Sequence, residues 1–287
     1  MRQALQVTRL TKCPWQQQLF ILQAVSAVIA EMDVQKSPPA NARHIYRKIA
    51  EISGCEDPYY DKKSTSNAQA LKIVPGLRQE IRHTDEELSS AVLFAIAGNI
   101  IDYGALETFD VAAALERSRS SRPAVDHLPQ FRDAVEQLPR GSSILYLTDN
   151  CGEIVYDSLL VEYLHRCGFA LTIAVKGGPI INDALVDDAL FAGLDKFGRI
   201  ITNGGRSPGT ELDECSEQFT QLFHAADLVI AKGQGNFESL SEVDRDVFFL
   251  LTIKCAAAAQ HMAELCGMPA DTLPGKGEMA VYYSAKK

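Results

Sequence analysis

The order of apolar and polar positions divides the 287-residue chain into two halves with different rhythms. In the first half apolar residues recur at helical spacing. Leu19, Leu22, Val25, Val28, Ile29 and Met32 form one stripe, and Pro38-Pro39 stop that segment. A second helix is expected from Ala40 to Ile52, ending before Gly54. Another opens at Thr84, where Glu87 three residues on forms a capping box, and runs through Ala97 and Asp102. The polar, punctuated stretch Ser118 to Pro123 reads as a link into the second half. From about Ser142 short β-rich runs alternate with helical segments. The runs are Ile144 to Leu147, Leu171 to Val175, Arg199 to Thr202, Asp227 to Ala231 and Met279 to Tyr283, while Phe248 to Ile253 fits strand or helix. The helical segments lie around Val155 to Arg166, Asp183 to Phe191, Leu212 to His224 and Ala256 to Cys266. Such alternation predicts an α/β fold, a parallel sheet sandwiched by helices, with ligands at the carboxyl ends of the strands.

Composition narrows the function classes. A chain that is 46% hydrophobic can bury one sizeable core with a smaller helical partner domain. A formal charge of −9 lacks the basic footprint of a nucleic-acid binder. It also repels phosphorylated substrates, so an anion site needs local neutralisation. The seven cysteines include no C-x-x-C pair, which argues against a zinc ribbon and a thioredoxin motif, and their scatter fits a reducing compartment. The apolar stretch from Leu19 to Met32 is too short to span a bilayer. The expectation is a soluble cytoplasmic protein with neither a membrane nor a nucleic-acid partner.

The strand ends carry the candidate chemistry. After the first strand, Asp149-Asn150-Cys151-Gly152 sets a carboxylate and an amide side by side before a turn that glycine permits. Two readings are open at this point: hard oxygen ligands for Mg²⁺ or Mn²⁺, or a helix cap. After the second strand, Asp183 is placed to supply a second carboxylate, Lys176 is a possible surface residue, and Asp187 and Asp188 read as a solvated helix face. The fourth strand ends in Lys232-Gly233-Gln234-Gly235-Asn236, where glycine amides and a lysine suit an anion. That segment fits neither the Walker loop nor the dinucleotide fingerprint. Lys254 follows a further apolar run, and Asn99 and Asp102 are polar positions at the end of the long helix.

TDNCGEIVYD, GGPIINDAL, AKGQGNFE and IKC, in this order, together with AGNIIDYG and DPYYDKKSTSN, resemble the damage-control phosphatases, in their compact archaeal and bacterial form. The resemblance implies a three-layer α/β/α sandwich over 121–287 that binds metal and phosphate. A helical N-terminal region over 1–120 would cover its active edge. It implies one divalent cation held by Asp149, Asn150 and Asp183, with Mn²⁺ or Mg²⁺ preferred and Co²⁺ or Ni²⁺ able to substitute. It also implies phosphate contact by Lys232 with Gly233 and Asn236, Asn99 and Asp102 near the substrate, and Lys254 at the rim. The substrates implied are phosphate monoesters of small metabolites, sugar phosphates or damaged phospho-metabolites. Two departures stand out: Cys13-Pro14-Trp15-Gln16 where the family often has C-x-x-C, and Cys151 where a small residue, usually alanine, is common.

Asp149 and Lys232 are therefore the expected catalytic residues. The nucleophile is either Asp149 itself or a metal-bound water. The strand-end Asp is similar to that of haloacid-dehalogenase phosphatases, but their second Asp, two positions on, is replaced by Cys151. Two rival readings are a non-catalytic, metal-dependent sensor of phosphorylated metabolites and a nucleotide- or SAM-dependent transferase on a Rossmann-like sandwich. The transferase calls for a glycine-rich turn where Asp149-Asn150-Cys151-Gly152 stands.

Overall fold

The computed structural model describes residues 1–98, 122–269 and 271–286. Helices α1 (Arg2–Leu10), α2 (Trp15–Ala30) and α3 (Pro38–Ser53) come first, followed by α4 (Tyr60–Arg82) and α5 (Glu87–Ala97). The link expected at 118–123 and the end of the helix at Asp102 lie largely or wholly outside the described residues, as do Asn99 and Asp102. Beyond them come β1 (Val125–Asp126), α6 (Leu128–Gln137), β2 (Ser143–Leu147), α7 (Glu153–Arg166), β3 (Ala170–Val175), α8 (Val186–Phe191) and β4 (Arg199–Thr202). The chain ends with α9 (Glu217–Ala225), β5 (Leu228–Lys232), α10 (Gly233–Leu240), β6 (Val247–Ile253), α11 (Ala256–Leu265) and β7 (Glu278–Ser284).

The strands form one seven-stranded sheet in the order β1-β7-β6-β5-β2-β3-β4. Strands β2 to β6 are mutually parallel where they pair, and β7 joins β6 antiparallel. Both faces are covered. Ile144, Tyr146, Ile173, Ile230 and Leu250 pack beneath α4, α5 and α7. Leu145, Leu147, Val229, Phe249 and Leu251 pack against Phe219 and Phe223 of α9, Phe237 of α10 and Met262 of α11. That alternation along each strand makes the strands apolar throughout, as a sheet buried on both sides requires. Fully burying each large apolar side chain contributes about 1.5–3 kcal/mol, so the two faces anchor the strand ends firmly. A separate apolar cluster joins Ala4 and Val7 of α1, Ile21 and Val25 of α2, Ile49 of α3 and Tyr59 at the start of α4.

The sequence expectations hold for the strands, and 248–253, which fits strand or helix in the sequence, pairs on both sides as β6. Two helix expectations need correction. Pro38-Pro39 do not stop a helix. They open α3 behind the N-cap Ser37, whose Oγ accepts the Ala40 N–H at 3.1 Å, because proline's missing N–H is no loss in a first turn. Thr84 caps no helix either: its Oγ1 accepts the Glu86 N–H in a local turn, and α5 begins at Glu87.

The chain leaves β2 for β3 and β4 on one side and returns to place β5 on the other. The carboxyl ends of β2 and β5 therefore flank a topological switch point, where an open α/β sheet has its crevice. Leu147 and Ala231 are in register there.

Candidate active site

The β2 end is locked to the loop after β3. Asp149 O accepts the Ala184 N–H at 2.8 Å, Asn182 O accepts the Cys151 N–H at 2.8 Å, and Asn150 forms an isolated antiparallel bridge with Asp183. Gly152 turns the chain with φ 81°, a conformation that favours glycine. Its N–H donates to Asn67 Oδ1 of α4 at 2.6 Å. Asn67 Nδ2 in turn donates to Asp188 Oδ1 at 2.7 Å. Asp188, expected on a solvated face, thus belongs to the scaffold, and its Oδ2 accepts the Leu185 N–H. Ile181 is held at φ 43°, a costly conformation for a β-branched residue. It packs against the apolar cluster of α1 to α3 and leads directly into Asn182-Asp183.

Asp149, Asn150, Asp183 and Lys254 line one cleft of about 610 Å³, together with Tyr46, Tyr59, Gln234, Gly235 and Glu238. Four of the expected site residues are therefore brought together in the cleft. Gly233 lies directly against the Asp149 carboxylate. Lys232 and Asn236 are fully buried and are not among the cleft-lining residues. Lys232 Nζ donates to Ala95 O at 2.9 Å, to Glu153 Oε1 at 2.6 Å and to Asp157 Oδ1 at 2.6 Å. Asn236 Nδ2 donates to Thr148 O and Lys232 O, and its Oδ1 accepts the Thr210 hydroxyl, so this amide ties the ends of β2 and β5 together. The phosphate contact expected of Lys232 and Asn236 does not match these placements. Both side chains spend their polar groups on protein partners.

The electrostatics favour a cation. Asp149, Glu153, Asp157 and Asp183 are buried carboxylates, whereas Lys176 and Lys232 are the buried ammonium groups among them. Lys63, also buried, is engaged by Asp57 at 2.5 Å. With all four ionised, the carboxylates outnumber the two buried lysines among them, and Lys254 adds a further positive charge only from the cleft rim. Burial pushes the Asp149 carboxyl well above its ordinary value, and the Glu153 and Asp183 charges push it further. Burial likewise raises Asp183 to about 7 despite the opposing pull of Lys176. Lys176 Nζ donates to Gly209 O at 2.6 Å and stands 3.4 Å from Asp183 Oδ2, which among the described residues has no closer hydrogen-bond partner. Lys176 is thus part of the site rather than a surface residue. No group of three or more His, Cys, Asp or Glu side chains disposed to hold a metal occurs among the described residues. The donors here are two carboxylates and an amide. That hard-oxygen set fits Mg²⁺ or Mn²⁺, with water and substrate oxygens completing the shell. Cys151 is buried, and burial raises its thiol pKa, so it packs as a small apolar group beside Asp183 O.

Comparison with known proteins decides the family. The damage-control phosphatase ARMT1-like domain matches residues 1–267. The chain belongs to that family. A damage-control phosphatase of Pyrococcus horikoshii is 36% identical over 242 residues, covering 83% of this chain and 82% of the relative. One from Archaeoglobus fulgidus is 35% identical over 232 residues, covering 79% and 80%. An uncharacterized protein of Methanocaldococcus jannaschii is 34% identical over 255 residues, covering 86% and 83%. The crystal structure of a DUF89 family protein from Pyrococcus horikoshii superimposes with a TM-score of 0.83 at 30% identity, covering 99% of this chain and 95% of that one. The α/β sandwich is thus shared, and phosphatase is the activity supported by the family and its named relatives. Among the described residues no helix is long and apolar enough to cross a membrane.

Within this family frame, sequence reasoning missed the residues beneath the cleft: Glu153, Asp157 and Asn67. Glu153 and Asp157 stand four apart on α7 and so share one helix face, a spacing that was available as a signal. Asn67 lies in the DPYYDKKSTSN segment, where only the fold reveals that its amide seats Gly152.

Proposed function

We propose that this chain is a metal-dependent phosphatase hydrolysing phosphate monoesters of small metabolites, sugar phosphates or damaged phospho-metabolites. The observation that carries the reading is the buried imbalance of four carboxylates against two ammonium groups, beside a cleft of about 610 Å³ at the switch point. A divalent cation would offset that excess of buried carboxylates. Asp149, Asn150 and Asp183 would hold it, and Co²⁺ or Ni²⁺ would substitute for Mn²⁺ or Mg²⁺ at an oxygen and amide site. When bound, such an ion supplies Lewis-acid neutralisation of phosphoryl charge and lowers the pKa of water.

The protein's own groups orient the reaction. Asn150 Nδ2 donates to Asp149 Oδ2 at 2.6 Å, and Gly233 backs the same carboxylate, so Asp149 is held as a ligand rather than free to advance on phosphorus. Water is then the nucleophile. Lys254, at the cleft rim after β6, adds positive charge where a phosphate would enter. Phosphoryl transfer asks mainly for such positioning and charge neutralisation. The test is p-nitrophenyl phosphate hydrolysis with Mn²⁺, Mg²⁺, Co²⁺ and Ni²⁺, followed by a screen of phosphorylated metabolites. Activity is expected only with metal. Full activity after EDTA treatment, or in Asp149→Ala, would sink the reading.

A further inference from the structure

Lys232 is a fully buried cation at the site, yet nothing in the proposed reaction uses it as placed. An ammonium group has three N–H donors. All three are accounted for by Ala95 O, Glu153 Oε1 and Asp157 Oδ1, at 2.9, 2.6 and 2.6 Å. None is left for a phosphate oxygen. Asp157 Oδ1 also accepts the Tyr146 hydroxyl at 2.9 Å, and Tyr146 is itself buried in β2. The lysine is therefore fixed by α7 through both carboxylates and by α5 through Ala95, and Tyr146 of β2 steadies Asp157 in turn.

The other oxygen of Glu153 leads back to the cleft. Glu153 Oε2 accepts from Asn150 Nδ2 at 3.2 Å, and the same nitrogen donates to Asp149 Oδ2 at 2.6 Å. A side-chain amide nitrogen has two hydrogens, and two carboxylates take them. Rotating the amide by half a turn would turn its oxygen lone pairs toward both carboxylates and leave neither with a donor, which disfavours that orientation. The nitrogen is thereby held inward, and Oδ1 is the atom of Asn150 left to face a cation.

We propose that Lys232 is a positioning residue for the metal site and not a phosphate ligand. It neutralises and seats Glu153, and Glu153 with Asp149 orients the Asn150 amide so that its oxygen is presented for coordination. This rests on the metal-dependent reading above and reassigns the role of one of its residues. Partners that orient metal ligands typically carry about 10- to 100-fold in metal affinity.

Mn²⁺ alone, titrated calorimetrically into metal-free protein, is the deciding probe, with folding checked by circular dichroism. Glu153→Gln keeps the volume, but its amide cannot accept from both Asn150 and Lys232. It should raise the Kd for Mn²⁺ about 10-fold or more. At saturating Mn²⁺ its KM for p-nitrophenyl phosphate should stay near that of the unaltered protein. Lys232→Met should behave alike. Lys232→Met strands two buried carboxylates, and if it fails to fold, folded Glu153→Gln decides alone. Unchanged Mn²⁺ affinity in Glu153→Gln overturns the proposal. So does Lys232→Met with normal Mn²⁺ affinity and about 10-fold weaker inhibition by inorganic phosphate, which would make the lysine a phosphate ligand. Unaltered protein that binds none of the four metals overturns both this inference and the metal-dependent reading. Metal-dependent turnover with unaffected variants overturns this inference alone.

Discussion

A Cβ atom built on Gly233 falls 1.9 Å from Oδ2 of Asp149, and the glycine sits at φ 79°. The first residue of α10 is thus the back wall of the carboxylate that the metal would use. Gly233→Ala must displace either Asp149 or the helix start, and the positive φ strains alanine as well. The expected outcome is loss of metal-dependent turnover by more than about 10-fold, as misplacement of a metal ligand or its support does. Gly76→Ala is the control. It stands in the exposed interior of α4 with nothing near its Cβ, and should stabilise the protein by about 0.5–1 kcal/mol while leaving turnover unchanged. Turnover assays on the two variants, with melting curves alongside, check the pair.

Asp149→Asn should separate stability from activity. The carboxyl is pushed up by burial and by the charges of Glu153 and Asp183. Removing its charge relieves that crowding in metal-free protein, and stabilising changes of this kind are worth about 0.5–2 kcal/mol. The amide keeps an oxygen for the Asn150 N–H. Melting of the EDTA-treated variant at pH 8 should therefore rise while turnover with Mn²⁺ is lost. A variant that melts lower and still turns over would contradict the crowding of charge at this strand end.

The strands were readable in the sequence because a sheet covered on both faces leaves them uniformly apolar. Phe248 to Ile253 was ambiguous because a short apolar run has no period of its own, and only pairing with β5 and β7 makes it a strand. α4 was missed although Ala70, Val74, Leu77 and Ile81 are spaced for one buried face. Pro75 and the polar opening segment mask that stripe. That Asp149, Asn150 and Asp183 share one cleft was legible because neighbouring parallel strands deliver their ends to one edge, although Asp and Asn there fit a helix cap equally well. The role of Lys232 was not, since a strand-end lysine reads the same whether it faces the cleft or two carboxylates below it. Only the packing of α7 under β5 separates the two.

The two lysines near Asp183 and the rim should differ in what they control. Lys176 is buried against Asp183, and removing one partner of a buried pair costs about 3–5 kcal/mol because a charge is left uncompensated. Lys176→Met should lower the melting temperature sharply in EDTA, and Mn²⁺ should restore part of the loss. Lys254 is exposed at the cleft rim. Lys254→Ala should shift melting far less than Lys176→Met and raise KM for p-nitrophenyl phosphate a few-fold. The KM difference should shrink as salt is raised from about 0.01 to 1 M, where the screening length falls from about 30 to 3 Å. Melting scans and a salt series of KM values distinguish the two roles.

Stability of the metal-free protein should fall as pH rises. Burial holds Asp157 up at about 6 and Asp183 at about 7, both above the ordinary value of 3.8. The folded state therefore keeps protons that the unfolded chain has released, and folding is favoured most where those protons stay bound. That contribution is present near pH 4 and is lost progressively as pH climbs through about 6 and then about 7. Lys232 does not offset it in this window, because Asp157 and Glu153 hold its pKa above the ordinary lysine value. EDTA-treated protein should thus melt higher at about pH 5.5 than at about pH 8. Saturating Mn²⁺ should narrow or reverse that order, because a cation requires the ionised form of Asp183 and its affinity rises as that proton leaves. A melting temperature that climbs steadily from about pH 5.5 to pH 8 without metal would contradict the raised carboxyls. It would remove the charge imbalance on which a cation at this strand end depends.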